Sequence, residues 1–515
     1  MRFMTPFAIL CLLLELFCTS HATAQPKNVQ VSADSISAYG PEEVSIAINP
    51  KNPLEIVAGS NAHWVYSSTD GGNTWSSSIL PSKYGGGGDP SLIFDNEGNL
   101  YNESLGYDRL GIDQLSDQGL IFNIHSEVGL DTSTVQDKPT LATDRRERMG
   151  SATALTWTRF NHFDTRNASD TSHVMCSVTR DHGLTWSDAV RVDDVGGDCY
   201  DSSNTVEGAV PAFGPNGELY VAWSARDTIF FDKSVDGGIS FGRDKAIAVQ
   251  PGGWWINERR IFRANGFPVI VCDQTSSRYN GGLYVVWGDT RRGVPDAYFI
   301  HSTDGGDTWS NPQNLTEADT AQHLFPALTV DPITGHIFVA YYSIHPEKSY
   351  STDVLLARST DGGETFTTST VSQSSFSGGG FLGDYISVAA YDRHVVPAWT
   401  RVAKGGSAIW AALVLDTEGV ASVMNPEMSS GLSLGRVSPN PASGSISIPI
   451  SKASAEIIDL TLINLLGTTV LHQQIQRTSN SFTTQLRLGR LSPGCYQLAV
   501  RSGLGCARQM IVIGD

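Results

Sequence analysis

Charged residues are scarce in this chain, at 17% of 515 residues, against about a quarter in typical soluble domains. The 35 Lys and Arg residues are outnumbered by 53 Asp and Glu residues, so the formal net charge is −18. Proteins that hold nucleic acid or anionic membranes through counterion release carry the opposite balance. The composition therefore predicts no nucleic-acid partner.

Cysteine and long apolar runs are also rare. Seven cysteines are present, and Cys11 and Cys18 lie in the first 24 residues. The other five match no zinc spacing and are too few for a disulfide scaffold. Cys495 and Cys506 are compatible with one bridge or with two unpaired thiols. After the N terminus no apolar run approaches the ~20 residues that span a bilayer, which predicts no transmembrane segment.

The N terminus carries the features of a secretory signal. Arg2 supplies the positive start, residues 7–17 the apolar stretch, and Ala22-Thr23-Ala24 a small-residue cleavage site before Gln25. We therefore predict a signal peptide over 1–24, followed by a short lead-in over 25–37.

Glycine, in contrast, is abundant, with 51 residues, and many of these glycines lie in a phrase that occurs five times. Each copy has Ser or Thr, an Asp two residues later, a glycine turn and a final aromatic residue. We predict a hairpin turn in which the Asp carboxylate accepts backbone N–H groups, the glycines take positive φ and the aromatic packs under the loop. The predicted structural pairs are Asp70 with Trp75, Asp181 with Trp186, Asp236 with Phe241, Asp304 with Trp309, and Asp361 with Phe366.

The spacing of these turns predicts the fold. Successive box aspartates are 111, 55, 68 and 57 residues apart, so the first gap is about twice the others. We infer that this long gap contains a repeat unit without a recognisable box, which begins at Asp89-Pro90-Ser91, and that a further repeat unit begins near Gly383. Short strands repeating every ~40–60 residues are typical of a β-propeller with four strands in each blade. We predict an all-β, seven-bladed β-propeller over 38–425, or a six-bladed one if the terminal units share a blade.

The five phrases resemble the Asp-box, or bacterial neuraminidase repeat, and their arrangement is similar to the sialidase-like propeller superfamily over most of residues 38–425. The resemblance implies activity on glycans. Sialidases of this superfamily use three arginines to clamp the substrate carboxylate, a Tyr nucleophile paired with a Glu, and an Asp acid/base. Where the family has its first arginine, in a Phe-Arg-Ile-Pro phrase, this chain has Tyr39-Gly40-Pro41-Glu42-Glu43-Val44.

Residues just before the innermost strand of each blade should converge on one mouth of the central channel. When the first residues of the repeat units are aligned, several acidic residues fall at this position and are predicted to form a ring around the mouth. The catalytic candidates are Glu43, Asp89, Asp137, Glu207, Asp384 and Tyr385, with Glu42, Lys138, Phe267 and Phe325 beside them. Three interpretations stay open: acid and base work on a neutral glycan, an oxygen-ligand Ca²⁺ site, or carboxylates satisfied by backbone N–H groups and water.

A second set of residues offers substrate contacts. The candidates are Arg259, Arg260, Arg263, Trp254, Trp255 and His323. The arginines precede the inner strand of the fifth unit, and the paired tryptophans could form a sugar-stacking platform. The alternatives are solvated loop charges or partners of nearby carboxylates for the arginines, and packing between blades for the tryptophans. Arg291 and Arg292 are expected to tether loops.

The amino-acid composition changes near residue 426. A predicted linker over 426–441, rich in Pro, Ser and Gly, precedes a predicted β-sandwich over 442–515. The predicted strands are Ile446 to Ile450, Ile457 to Asn464, Phe482 to Leu488, Cys495 to Val500 and Met510 to Ile513. The Pro-Asn-Pro opening at 439–441, the Leu465-Leu466-Gly467 turn and the 494–498 phrase resemble the C-terminal sorting domain of the Bacteroidetes type IX secretion system. A plain accessory sandwich is the alternative.

Together these features predict a secreted or outer-membrane surface protein whose partners are extracellular glycans or glycoproteins and, through its tail, the type IX machinery. It is either a glycoside hydrolase, exo-sialidase-like, or a non-catalytic propeller for glycan binding, adhesion or protein interaction. No cofactor is expected, apart from a possible Ca²⁺.

Overall fold

A computed structural model of the chain divides into two compact units, residues 1–417 and 418–515. It describes residues 26–33, 40–116, 121–146, 152–163, 165, 167, 169–200, 202–258, 260–316, 320–403, 406–417, 433–434, 437–440, 442–451, 457–464, 469–476, 479, 481–489, 491–492, 494–502 and 505–514. The predicted signal segment and most of the predicted linker lie outside these ranges. Within them the secondary structure is almost entirely β, with one 3₁₀ turn at Pro346–Lys348.

The first unit consists of antiparallel meanders of four strands. The N-terminal strand and the first four meanders are β1 Lys27–Gln30; β2 Ser45–Ile48, β3 Ile56–Ser60, β4 Trp64–Ser68, β5 Ser76–Ile79; β6 Gly88–Phe94, β7 Leu100–Leu105, β8 Leu110–Ser116, β9 Ile121–Val128; β10 Val135–Thr143, β11 Thr153–Phe160, β12 Ser172–Thr179, β13 Val190–Arg191; β14 Glu207–Phe213, β15 Leu219–Ala225, β16 Thr228–Ser234, β17 Lys245–Val249.

A short ladder and three more meanders follow. They are the pair β18 Trp255–Ile256 and β19 Ala264–Asn265; β20 Val269–Cys272, β21 Leu283–Asp289, β22 Asp296–Ser302, β23 Gln313–Asn314; β24 Gln322–Val330, β25 Ile337–His345, β26 Ser351–Ser359, β27 Thr367–Thr370; the linking strand β28 Phe376–Ser377; and β29 Ser387–Tyr391, β30 His394–Ala403, β31 Gly406–Leu415. The last meander takes its fourth strand from the other end of the unit, because β1 pairs with β31 in the register Lys27 opposite Leu413.

The meanders are arranged as a ring. The first strand of each meander contacts the first strand of the next, and β29 contacts β2, so the ring closes around a central channel. This confirms the predicted β-propeller. Among the described residues the meanders number seven, while β28 joins the last two into one nine-stranded sheet.

Aromatic side chains fill the space between the sheets. Trp157, Trp223, Trp287 and Trp399, each on the second strand of its meander, are fully buried. Because each sheet is covered on both faces by its neighbours, its strands are apolar almost throughout, and every residue of β15 and β21 is buried. The core of the unit is therefore a series of interfaces between blades.

The five box turns have the predicted contacts. In each, one carboxylate oxygen accepts the backbone N–H four residues later, at 2.9–3.0 Å. These bonds lower the pKa of the box aspartates, that of Asp70 to about 2, chiefly through the Thr74 hydroxyl. The box aromatic reaches further than predicted, since Trp309 packs on Phe231 of the preceding meander. Phe366 does the same on Phe299. The boxes thus fasten neighbouring blades together.

The second unit contains two antiparallel sheets. Its strands are β32 Ser433–Leu434, β33 Ser445–Ser451, β34 Ile457–Asn464, β35 Thr469–Gln476, β36 Ser481–Arg487, β37 Gly494–Ser502 and β38 Gly505–Ile513. The sheet orders are β32-β33-β36 and β35-β34-β37-β38. Alternate residues from both sheets, such as Ile448 and Leu460, share one buried core. The predicted strands are present, whereas β35 and the short β32, which lies within the predicted linker, were not predicted.

The register of β37 and β38 bears on the disulfide alternative. Cys495 lies opposite Val512, and Cys506 lies opposite Arg501. The two cysteines are therefore six residues apart along the ladder, about 20 Å at ~3.3 Å per residue. A disulfide requires Cα atoms within about 7 Å, so this register excludes the bridge. In the propeller, Cys176, Cys199 and Cys272 are free thiols.

Candidate functional site

The innermost strands begin with a shared backbone irregularity that sets the direction of the side chains before them. Glu43, Asp89, Lys138 and Phe325 have φ of 58°, 43°, 48° and 55°, and Gly208 has φ of 67°. The ladders of β6, β10, β14 and β24 shift register at these points. Such bulges bend the strand and redirect a side chain. Left-handed backbone is costly for residues other than glycine and recurs at functional sites.

The side chains redirected in this way line a small polar cleft of about 50 Å³ at one end of the channel. Its charged lining is Asp89, Asp137, Glu207, Asp384, Lys138 and Arg263. We call this cleft the acidic mouth. It brings together four of the predicted carboxylates with one of the predicted arginines.

Arg263 connects the acids of the mouth. Its Nε donates to Asp384 Oδ1 at 2.7 Å, and its Nη2 donates to Asp384 Oδ2. The same Nη2 lies 3.5 Å from Glu43 Oε1, while Asn61 Nδ2 donates to Glu43 Oε2 at 2.7 Å. Glu43 therefore lies next to Arg263 without lining the cleft itself. Asp384 holds the guanidinium by two nitrogens, a geometry that only arginine offers.

Crowding of carboxylates shifts their proton affinity. Burial, and then the charges of Asp89 and Asp384, raise the pKa of Glu43 well above its usual range, against the opposing effects of Asn61 and Lys138. Burial also raises the pKa of Asp384, against the pull of Arg263. Like charges at short range cannot all ionise together. The acids of the mouth therefore bind protons more readily than isolated carboxylates do.

Asp89 lies at the centre of this group. Its Oδ1 is buried and has no hydrogen-bond partner among the described residues. A buried carboxylate oxygen is costly when it is left unsatisfied. Asp89 is thus a lining acid with one buried oxygen that lacks a hydrogen-bond partner among the described residues.

Tyr385 lies below the cleft, within the channel. The Lys138 ammonium stands 3.4 Å over its ring centroid, a cation–π contact, and its hydroxyl donates to the Pro90 carbonyl at 3.3 Å. Burial first, then the charges of Asp89 and Glu43, raise the pKa of Tyr385 well above its ordinary value. Tyr385 therefore stays neutral and positions Lys138.

Aromatic side chains form the other wall of the mouth. Trp254 is buried, donates its indole N–H to the Thr205 carbonyl at 3.1 Å, and packs on Phe267. Trp255 and Phe163 line the cleft and are 38% and 39% exposed. The two exposed rings offer apolar faces beside the carboxylates.

Glu103 was not among the candidates. It lies on β7, fully buried, and neither carboxylate oxygen has a hydrogen-bond partner among the described residues. Burial and the charge of Asp89 raise its pKa well above the usual range, while Lys138 opposes. The sequence did contain a signal for this site: the polar residues 102–104 on β7 and Asp113 on β8 interrupt strands that are otherwise largely apolar and buried.

Several predicted residues do not line the mouth. His323 is buried within its blade, with Nδ1 3.2 Å from Asp296 Oδ1 and Nε2 3.3 Å from Ser343 Oγ. The Arg260 guanidinium lies 5.2 Å from the centroid of the Tyr350 ring, outside the cleft. Arg259 lies outside the described residues.

Glu42 points away from the mouth and is buried between blades, where it accepts a hydrogen bond from Ser407 at 3.2 Å. Burial raises the pKa of Glu42 to about 7. Arg291 and Arg292 tether their loop through Asp289 and Asp296, as expected.

In the described part of the chain, no three His, Cys, Asp or Glu side chains form a group that could hold a metal ion. In the same residues no helix is long and apolar enough to span a bilayer.

Comparisons with known proteins give one match to the tail and several to the propeller. Residues 436–514 match the secretion system C-terminal sorting domain. The chain is 26% identical over 330 residues to xyloglucanase Xgh74A of Acetivibrio thermocellus, an alignment that covers 54% of this chain and 33% of the xyloglucanase. The chain thus spans about one third of the length of the curated relatives it matches.

Two solved structures are among those to which the chain is similar. A protein of unknown function from Dyadobacter fermentans gives a TM-score of 0.44 at 11% identity, covering 76% of this chain and 98% of that one. The Hadza microbial sialidase Hz136 gives 0.41 at 14% identity, covering 70% and 73%. The C-terminal unit of this β-propeller protein is a secretion system sorting domain, the tail that directs type IX export to the cell surface or the extracellular space.

Proposed function

We propose that this exported propeller binds neutral extracellular glycans at the acidic mouth. The observation that carries the proposal is the pairing of carboxylates with exposed aromatic faces: Asp89, which has an unpartnered oxygen, lines the same cleft as the rings of Trp255 and Phe163. Sugar hydroxyls donate to carboxylates, and the C–H faces of sugar rings pack on aromatic side chains. The similarity to a xyloglucanase, which is named for a neutral glycan, is in agreement.

The charge of the mouth disfavours an anionic sugar. Four lining carboxylates face one lysine and one arginine. Arg263 already donates to Asp384 and lies beside Glu43. The carboxylate of an anionic sugar would therefore have to replace these two side chains as the partner of Arg263. The described lining contains no further arginine, whereas a sialidase of the resembling superfamily uses three.

The size of the cleft sets the mode of binding. At about 50 Å³ it is far smaller than the ~300–1,000 Å³ of pockets that enclose a small molecule. A glycan would therefore lie across the mouth, with a ring on Trp255 and one hydroxyl directed at Asp89.

Hydrolysis of the same glycan is the second candidate function. It is favoured by the raised pKa of Glu43 and Asp384 next to Asp89, since glycosidases use one protonated and one ionised carboxyl. The test is reducing-sugar release from neutral polysaccharides by the mature protein and by Asp384→Asn. Hydrolysis predicts a loss of about 100-fold or more in the variant. Absence of turnover on every substrate rejects hydrolysis and leaves the binding proposal standing.

Calorimetric titration with xyloglucan oligosaccharides tests binding. Trp255→Ala and Asp89→Asn should each weaken binding about 10-fold, the loss of one stacking or hydrogen-bonding contact. Glu364→Gln is the matched control, because this carboxylate is exposed on a box turn. If no glycan binds, or if the control weakens binding as much, the mouth is not a glycan site, and a protein-interaction role becomes the better candidate.

A further inference from the structure

The channel has a second opening, at the end where the innermost strands finish. A cavity of about 580 Å³ lies there. It is lined by the last residue of every first strand: Ile48, Phe94, Thr143, Phe213 and Cys272, together with Val330 and Tyr391. We call it the basic opening. It is independent of the acidic mouth, since no residue lines both.

The lining of this cavity is positively charged, whereas the protein as a whole carries a net negative charge. Lys51 and Arg145 are its charged side chains, and no carboxylate is found among its described lining residues. Aspartates do follow several of the innermost strands, but their carboxylates accept hydrogen bonds from loop residues. Asp95 accepts the backbone N–H groups of Glu97 and Asn99, both at 2.9 Å.

Two further acids at this end are engaged in the same way. Asp273 accepts the Thr275 backbone N–H at 2.7 Å and the Ser277 hydroxyl at 2.8 Å. Asp331 accepts four backbone N–H groups, those of residues 333, 334, 392 and 393. These acids therefore make their hydrogen bonds within the loops rather than to the cations of the cavity, and Asp331 acts on Arg145 only through its charge.

Arg145 has no ion partner in the described part of the chain, where no carboxylate oxygen lies within 4 Å of its guanidinium. Its neighbour Arg146 is different, since it pairs with Asp144 through Nε at 2.8 Å. The Arg145 backbone N–H donates to Gln274 at 3.0 Å, which holds this residue at the cavity wall. Burial lowers the pKa of Arg145, against the opposing charges of Tyr391 and Asp331, and an arginine remains charged in proteins. A partly buried charge without a direct ion pair is costly.

We propose that the basic opening binds a small organic anion, a carboxylate or sulfonate with an apolar body, whose anionic group pairs with Arg145. The volume lies within the range of small-molecule pockets. An inorganic anion would leave the aliphatic walls, such as Ile48 and Ile270, in water. A neutral apolar ligand would leave Arg145 unpaired.

Fluorescence titration of the mature protein with 8-anilinonaphthalene-1-sulfonate tests this proposal, with sodium octanoate, sodium glucuronate and 1-octanol as competitors. We expect saturable binding of the sulfonate and competition by octanoate, with 1-octanol at least 10-fold weaker. Competition by glucuronate instead of octanoate would contradict the proposal, because a sugar acid has no apolar body. Equal competition by octanoate and 1-octanol overturns the proposal.

Variants separate the two ends of the channel. Arg145→Gln should weaken sulfonate binding about 10-fold or more, as the loss of a charge-assisted hydrogen bond implies, and Arg145→Lys should retain part of the affinity. Arg180→Gln, an exposed arginine on a box turn, is the control and should change nothing. An unchanged affinity in Arg145→Gln contradicts the proposal. If that variant does not fold, the comparison of octanoate with 1-octanol on the wild-type protein decides.

Discussion

The acidic mouth and the basic opening are the two ends of one channel, built from the same seven strands, yet they differ in charge and in how that charge is held. At the mouth, Arg263 is bound to Asp384 by two nitrogens. At the opening, Arg145 lies in a cavity without a carboxylate in its described lining. The strands supply a common frame, and the residues just before and just after each strand determine the chemistry of each end.

The largest expected effect concerns stability at the mouth. Arg263→Ala leaves Asp384 and Glu43 without their cation, and we expect a loss of about 2–3 kcal/mol in the free energy of unfolding, below the 3–5 of fully buried pairs because the guanidinium is partly exposed. Urea denaturation measures it. The loss should be greater at pH 8 than at pH 4, since both acids have a raised pKa and take up protons as the pH falls. A loss equal at both pH values would contradict this assignment.

The matching change at the other end should behave oppositely. Arg145→Gln removes a cation that has no ion partner, so we expect the free energy of unfolding to stay within about 0.5 kcal/mol of wild type or to rise. Octanoate should then raise the melting temperature of the wild-type protein and not that of the variant. A destabilisation as large as that of Arg263→Ala would show that Arg145 has a structural partner.

A third change sharpens the electrostatic account of the mouth. Because the folded-state pKa of Glu103 is raised, its ionisation opposes folding increasingly as the pH rises above its unfolded value, near 4.5. Glu103→Gln should therefore raise the melting temperature at pH 8 by a few degrees and have little effect at pH 4. Thermal unfolding at the two pH values measures the difference, and a variant less stable than wild type at pH 8 would refute the assignment.

The smallest effect is expected at the box turns, which belong to neither end. The pKa of Asp70 is lowered to about 2 by its hydrogen bonds, so its stabilising effect is present above the unfolded value near 4 and is lost as the pH falls toward 2. Asp70→Asn should lower the melting temperature slightly at pH 7 and not at pH 2, and should leave ligand binding at both ends unchanged. A loss that persists at pH 2 would mean that packing, not the carboxylate, is responsible.

Local patterns made much of this molecule predictable. The box turns follow from residues within eight positions of one another, such as Ser302 to Trp309, and their spacing predicts the propeller. The mouth acids were found because the unit openings align, as at Asp89-Pro90 and Lys138-Pro139. Glu42 was predicted to lie at the mouth with its neighbour Glu43, but its side chain is directed away from the mouth toward Ser407.

Other features depend on contacts that no local pattern records. His323 follows the same opening as the mouth residues but is directed into its blade by Asp296, which comes from another meander. Arg145 was not considered because the alignment compared residues before each inner strand and not those after it. The nearby acid Asp331 makes no ion pair with Arg145 and instead accepts the backbone N–H groups of residues 392 and 393, from a distant part of the chain.

Binding of a neutral and a sialylated oligosaccharide, measured side by side on the mature protein, tests the charge of the mouth most directly. Calorimetric titration at pH 7 should show a xyloglucan oligosaccharide binding at the mouth, weakened by Trp255→Ala, and no measurable binding of sialyllactose. Sialyllactose binding as tightly as the neutral sugar, with loss of affinity on Arg263→Ala, would contradict a mouth built for neutral glycans.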